Sequence, residues 1–209
     1  AGGTSAFAVG YNNTVSKDNA FVYGNANKAK GTNSIAGGEY STAAGRNSVA
    51  IGSSAQALKD DTFAIGSQAR ANGTDALAFG NGAYAENNST IAIGKTVKAE
   101  ADSAVAIGVR TSASGNSTVA IGRDNAVTSA DTTVVGSNNG SVAADQSVVI
   151  GYNNTVVGTD PEQVVVGSNS KTGAQGAVAI GTHAEATAMD AMAIGNNTLA
   201  DNANSVAIG

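Results

Sequence analysis

The chain has no cysteine and no tryptophan, one proline (Pro161), one histidine (His183), four phenylalanines and five tyrosines in 209 residues. Without cysteine there is no disulfide scaffold and no thiolate metal site. With so few aromatics, the core has to be built from small and β-branched residues, which favours strands over helices. Charged residues make up 13% of the chain, about half the usual share. A net charge of −5 argues against nucleic acid or an anionic membrane surface as partner. No apolar run approaches the roughly 20 residues of a membrane-spanning helix. A lone histidine lacks the partners that a metal or catalytic role requires, so His183 is expected at an exposed corner. The nine-residue Gly/Asp period of calcium-binding solenoids is missing, and no glycine loop is set between strand and helix to cradle phosphate. The expectation is no enzyme, no cofactor and no metal.

What is present is a repeat. An apolar run closed by glycine recurs at Gly10, Gly24, Gly38, Gly52, Gly66, Gly80, Gly94, Gly108, Gly122 and Gly136, fourteen residues apart. The spacing slips by one to Gly151 and by two to Gly167, then recovers at Gly181, Gly195 and Gly209. A period this short cannot bury an apolar face alone, so copies must stack into a solenoid. One array over residues 1–209 is expected, with register slips near 137–167. Solenoids normally carry caps. Neither Ala1 nor Gly209 belongs to one, so the array is expected to be part of a longer protein.

With glycine as position 0, position −3 is large and apolar in every copy except Thr133, and −1 is mostly Ile or Val. Position −2 is Ala or Val throughout, +3 and +5 are small, and +4 is mostly polar. None of the 11 basic and 16 acidic residues falls at −3, −2, −1, +3 or +5. Period-two alternation marks half-buried strands, so each copy is expected to hold two short strands, −3 to −1 and +3 to +5. Glycine suits one corner and Asn-Ser pairs such as Asn47-Ser48 suit the other. Reading size as a guide to burial puts −3 and −1 inside and −2 outside. An apolar strip at −2, roughly 70 Å long at strand spacing, would not be left in water. It is therefore expected to be the contact between copies: Ala50, Ala64, Ala78, Ala92, Ala106, Ala120, Val134, Val149, Val165, Ala179, Ala193 and Ala207. Glycine at both 37 and 38 is expected to weaken the third copy.

Asn47-Ser48-Val49-Ala50-Ile51-Gly52-Ser53-Ser54-Ala55-Gln56-Ala57, with Ser103–Gly108, Ser117–Gly122 and Asn204–Gly209, resembles the head repeat of YadA-like trimeric autotransporter adhesins, over the whole chain. The resemblance implies a left-handed parallel β-roll, a homotrimer, and display on a bacterial surface. In that family a stalk and an outer-membrane anchor follow the head, and neither is in this sequence. It also implies adhesion to host extracellular matrix protein, a cell-surface receptor or glycan, or another bacterium, with no membrane contact by this part. In the family, repeats of the NSVAIG type are associated with binding collagen and other matrix proteins. The passive alternative is a spacer in a surface fibre; nothing at +4 repeats from copy to copy. An ice-binding threonine ladder is absent, since Thr14, Thr42 and Thr155 never fall in adjacent copies.

Candidate ligand-facing residues follow from position. Tyr11, Tyr40, Tyr84 and Tyr152 lie outside the core frame, and exposed tyrosine suits an interface. Arg70 and Lys98 occupy +4. Asp160 and Glu162 flank Pro161 in the two-residue insertion around 157–163. That insertion is expected to lift a loop from a corner, where proline is tolerated.

Overall fold

The computed structural model describes residues 2–209, which form strands, turns and bends and contain no helix. The chain forms two compact units, residues 1–103 and Ala104–Gly209. Within each, the fold is a parallel β-solenoid of fourteen-residue coils. In the coil of Gly52 the first strand is Val49–Ile51 and the second Gln56–Ala57. Each pairs in parallel with the strand fourteen residues on: Val49 with Phe63, Ala50 with Ala64, Ile51 with Ile65, and Gln56 with Arg70.

Two residues per coil turn the chain. Positions −5 and +2 are left-handed in almost every coil, as at Asn47 (φ 54) and Ser54 (φ 58), or Asp131 (φ 52) and Asn138 (φ 56). Each coil is thus two seven-residue halves of one pattern: a left-handed residue, then inward, outward, inward. Asn, Asp and Ser fill most of these turns because their short polar side chains tolerate that conformation. Glycine at position 0 answers a different demand. Gly66 has φ 132, and a Cβ there would collide with the carbonyl of Gly80 in the next coil. The glycine column is therefore set by the close stacking of backbones as much as by the corner.

The interior is lined by −4, −2, +3 and +5. In the middle of the first unit Ser48, Ala50, Ala55 and Ala57, then Thr62, Ala64, Ala69 and Ala71, are all fully buried. This reverses the expected parity of the first strand. Ala50, Ala64, Ala78, Ala92, Ala106, Ala120, Val134, Val149, Val165, Ala179 and Ala193 have no exposed surface within the single chain, and Ala207 is half-buried. The eleven without exposed surface line the inside of the coil and cannot touch another copy. The cause is volume. The two facing seven-residue walls of a coil stand too close for large side chains, so Ala, Ser, Thr and Val pack inside and Val, Ile and Phe are turned out. Asn47 stays half-exposed, while Ser48 is enclosed, its Oγ donating to the Gly45 carbonyl at 2.6 Å.

Residues 119–172 depart from the narrow coil. Their inner side chains are larger: Asn125 and Val127, Val134, Asn139 and Val142, Val149, Asn154 and Val156, then Gln163, Val165 and Thr172. The buried asparagines are bonded from coil to coil. Asn125 Nδ2 donates to the carbonyls of Ile121 (3.0 Å) and Gly136 (2.8 Å), and its Oδ1 accepts from the backbone N–H of Asn139 (3.1 Å). Asn139 Oδ1 accepts in turn from the N–H of Asn154 at 3.1 Å, and Asn154 Oδ1 from that of Ser170 at 3.0 Å. Here the perimeter also lengthens. The pairing of Val119–Val127 with Thr133–Val142 shifts past Arg123, so that Asn125 faces Gly140, which is left-handed with φ 67. Two further residues enter between Val156 and Gln163. The expected bulges are present where the spacing slips.

Candidate functional surfaces

The outward residues at −3 and −1 form an apolar wall in each unit. Phe63 is 43% exposed and Phe79 50%, and in the second unit Ile150 is 41% and Ile180 36% exposed. Parallel pairing aligns them in files, such as Phe63, Leu77 and Ile91 at −3 with Ile65, Phe79 and Ile93 at −1. The first coils add aromatic contacts. Phe7 stacks on Phe21 with centroids 5.5 Å apart, and Phe21 lies 5.6 Å from the Tyr23 ring. Gly37 has a packing reason: a Cβ there would strike the Tyr23 ring, so glycine makes room for it. Sequence reasoning missed this wall because it equated size with burial. The missed signal was position −4, which is Ala, Ser or Thr in every copy but Gln163. Two small positions flanking −3 show which parity faces a narrow interior.

The second strand presents the opposite wall. Lys28, Thr42, Gln56, Arg70, Tyr84 and Lys98 follow one another in register at +4. The Arg70 guanidinium lies 5.8 Å from the Tyr84 ring centroid and its Nε donates to Asn72 Oδ1 at 2.8 Å. Asn72 Nδ2 donates to Tyr84 Oη (3.3 Å) and Glu86 Oε2 (2.7 Å). Lys98 sits 3.7 Å from Glu100. The structure thus brings Arg70, Tyr84 and Lys98 onto one wall. The other candidates lie apart from them: Tyr11 and Tyr40 are exposed at corners of the first three coils, and Tyr152 is exposed in the second unit.

Asp160 and Glu162 are exposed on the 157–162 loop, which is anchored on both sides. Gln163 Nε2 donates to the Asp160 carbonyl (2.7 Å), the Glu162 N–H to the Asp145 carbonyl (3.1 Å), and Gln175 Nε2 to Glu162 Oε2 (3.3 Å). At another corner, Arg110 grips Asp124 with two hydrogen bonds of 2.7 Å. Those bonds hold the Asp124 carboxyl below the usual carboxylate range and raise the Arg110 guanidinium.

His183 is exposed at a left-handed corner (φ 53), beside an open depression shared with Glu185, Asn197, Thr198 and Leu199. Among the described residues no three His, Cys, Asp or Glu side chains come together to hold a metal ion.

These features define a parallel β-solenoid of fourteen-residue coils, with a small-residue interior, an exposed apolar wall and a polar wall behind it. The YadA head domain repeat (2 copies) matches residues 1–27, 29–48, 43–69, 71–95, 99–125, 113–139, 164–184 and 186–209, and the chain belongs to that family. YadA head domains are non-catalytic adhesins. No curated protein matches the chain. The longest unmatched stretch, 140–163, coincides with the inserted residues.

Proposed function

We propose that this chain is the head of a bacterial cell-surface adhesin. It assembles as a left-handed homotrimer and adheres by multivalent display to host matrix, host cells or neighbouring bacteria. Beside family membership, the observation that carries this reading is the exposed −3/−1 wall, too apolar and too regular for a free surface. Self-association through it would bury Val105, Ile107, Val119 and Ile121 while leaving +4 and the corners free for a ligand. Three copies and many coils turn weak contacts into avidity, on the order of 10²–10⁴ over one site where geometry allows. In the whole protein, an outer-membrane anchor beyond this head would hold it at the cell surface.

The test is mass in solution together with binding. The chain should sediment at three times its 20.3 kDa and bind saturably to immobilised collagen, fibronectin or laminin, to epithelial cells, or to whole bacteria. Ile107→Glu should dissociate it. A monomeric wild type, or an Ile107→Glu variant that stays trimeric, would sink the assigned contact. A trimer that binds no surface would leave a spacer.

A further inference from the structure

We infer that the +4 wall of the first unit is a binding site for a linear sulfated glycan, a finer statement that rests on the adhesin reading. The file carries, in consecutive coils, Lys28, Thr42, Gln56, Arg70, Tyr84 and Lys98. Its cations are exposed and its intervening residues half-buried. At one coil per strand spacing, Lys28 and Arg70 stand about 14 Å apart and Arg70 and Lys98 about 10 Å. Among the described residues, neither Lys28 nor Arg70 has a carboxylate within ion-pair reach, and Lys30, next but one to Lys28, has none either.

Arg70 is pre-set for an anion. Asn72 takes its Nε–H and the guanidinium carbon lies 5.8 Å over the Tyr84 ring centroid, while Asn72 is tied to Tyr84 and Glu86. The terminal Nη groups take no partner among the described residues, and such a fork suits a sulfate or carboxylate bidentately. Hydroxyl and amide groups at Thr42 and Gln56 fill the interval between cations with hydrogen-bonding partners for sugar hydroxyls, and Tyr84 offers an apolar ring beside them.

Charge density selects among polyanions. Duplex nucleic acid carries a charge about every 1.7 Å along its axis, which sparse cations at roughly 10–14 Å, with Glu86 and Glu100 alongside, cannot neutralise. A glycan with sulfates separated by neutral sugar surface matches that spacing. The second unit has no counterpart. Its outward residues there are Ser112, Ala126, Ser141, Thr155, Lys171, Glu185 and Leu199, with a single cation.

The experiment measures binding of the assembled chain to immobilised heparan sulfate. The wild type should bind saturably and lose affinity as salt rises. Lys28→Gln/Arg70→Gln/Lys98→Gln together should weaken binding by about tenfold or more at unchanged melting temperature. Lys28→Glu alone, which disturbs no hydrogen bond, should lose several-fold. Lys171→Gln in the second unit should bind as wild type. Unsulfated hyaluronan should compete poorly. Absent binding, undiminished binding by the triple variant, or duplex DNA competing as well as heparan sulfate would overturn the inference. Adhesion to cells that survives enzymatic removal of heparan sulfate would overturn it and leave the adhesin reading standing. Loss of binding to every surface would remove both.

Discussion

Up to Ser103 the coils carry eight basic and eight acidic side chains; from Ala104 onward they carry three basic and eight acidic. The first unit keeps a fourteen-residue pitch throughout, with alanine dominating its interior. The second holds most of the buried asparagines and larger inner side chains, which in the first unit are confined to a few such as Val22, Asn27 and Val97, and it holds both insertions. Yet Val134, Val149 and Val165 stay aligned at −2, and Gly136, Gly151 and Gly167 stay aligned at 0, across coils of fifteen and sixteen residues. The difference teaches that the solenoid protects its stacked columns and places extra residues at the turns. Larger inner side chains accompany the longer coils without requiring them, since Val22 and Asn27 sit inside coils of fourteen residues. A glycine such as Gly140 or Gly158, where an added Cβ would meet open space, absorbs the excess.

The harshest way to break the comparison is to charge the interior of both units alike. Ala64→Asp and Ala179→Asp each bury an unpaired carboxylate, at about 3–5 kcal/mol or more. Both should abolish cooperative melting followed by circular dichroism. Survival of either fold would show that the interior of that unit is not closed.

Next comes glycine. Gly181→Ala would place a Cβ against the Gly195 carbonyl, at a φ of 140. It should cost about 3 kcal/mol, strain and backbone displacement together. Gly158→Ala meets open space and bears only the left-handed penalty, about 1 kcal/mol. Urea unfolding should rank them so; equal losses would mean the insertion is as constrained as the column.

The buried amides give a smaller effect. Asn139→Ala strips a donor from the Gly151 carbonyl and from Asn125 Oδ1, and an acceptor from the Asn154 N–H. It should cost about 1–3 kcal/mol in thermal unfolding. A neutral result would mean the asparagines of the second unit only fill space.

The smallest effect is electrostatic. Asp124 has a depressed pKa from its hydrogen bonds with Arg110. Its contribution to stability is therefore present above the unfolded carboxylate value, about 3.9, and lost as pH falls through the lower folded value. Asp124→Asn should melt slightly below wild type at neutral pH and together with it in strong acid. A gap that persisted in acid would show that the corner is held by packing.

Much of this architecture is legible in the residues alone. The fourteen-residue period, two strands per coil, parallel stacking and the place of the bulges all follow from glycine spacing and the absence of charge from five positions. Parity is not legible by a rule of size. Val49 and Ile51 look like core because they are large, and Ala50 looks like a contact because small residues allow close approach. Either assignment satisfies a period of two. The bonding of Asn125, Asn139 and Asn154 is equally hidden, since +3 reads as a small strand position and the partners of an amide there lie on neighbouring coils. Gly37 reads as a defect in sequence; the Tyr23 ring that occupies the space of its missing side chain gives it a purpose.

The sequence by itself determined that this chain stacks, how long each coil is and where the coils swell, because backbone pairing and left-handed turns depend on local residue type and spacing. Tertiary structure decided which side of the first strand is inside. That choice depends on the distance between the two facing walls of a coil, a volume no single strand encodes. It turned the alanines into the core and the valines, isoleucines and phenylalanines into an exposed wall, while Lys28, Arg70, Tyr84 and Lys98 stayed on the outward +4 face that their spacing already implied.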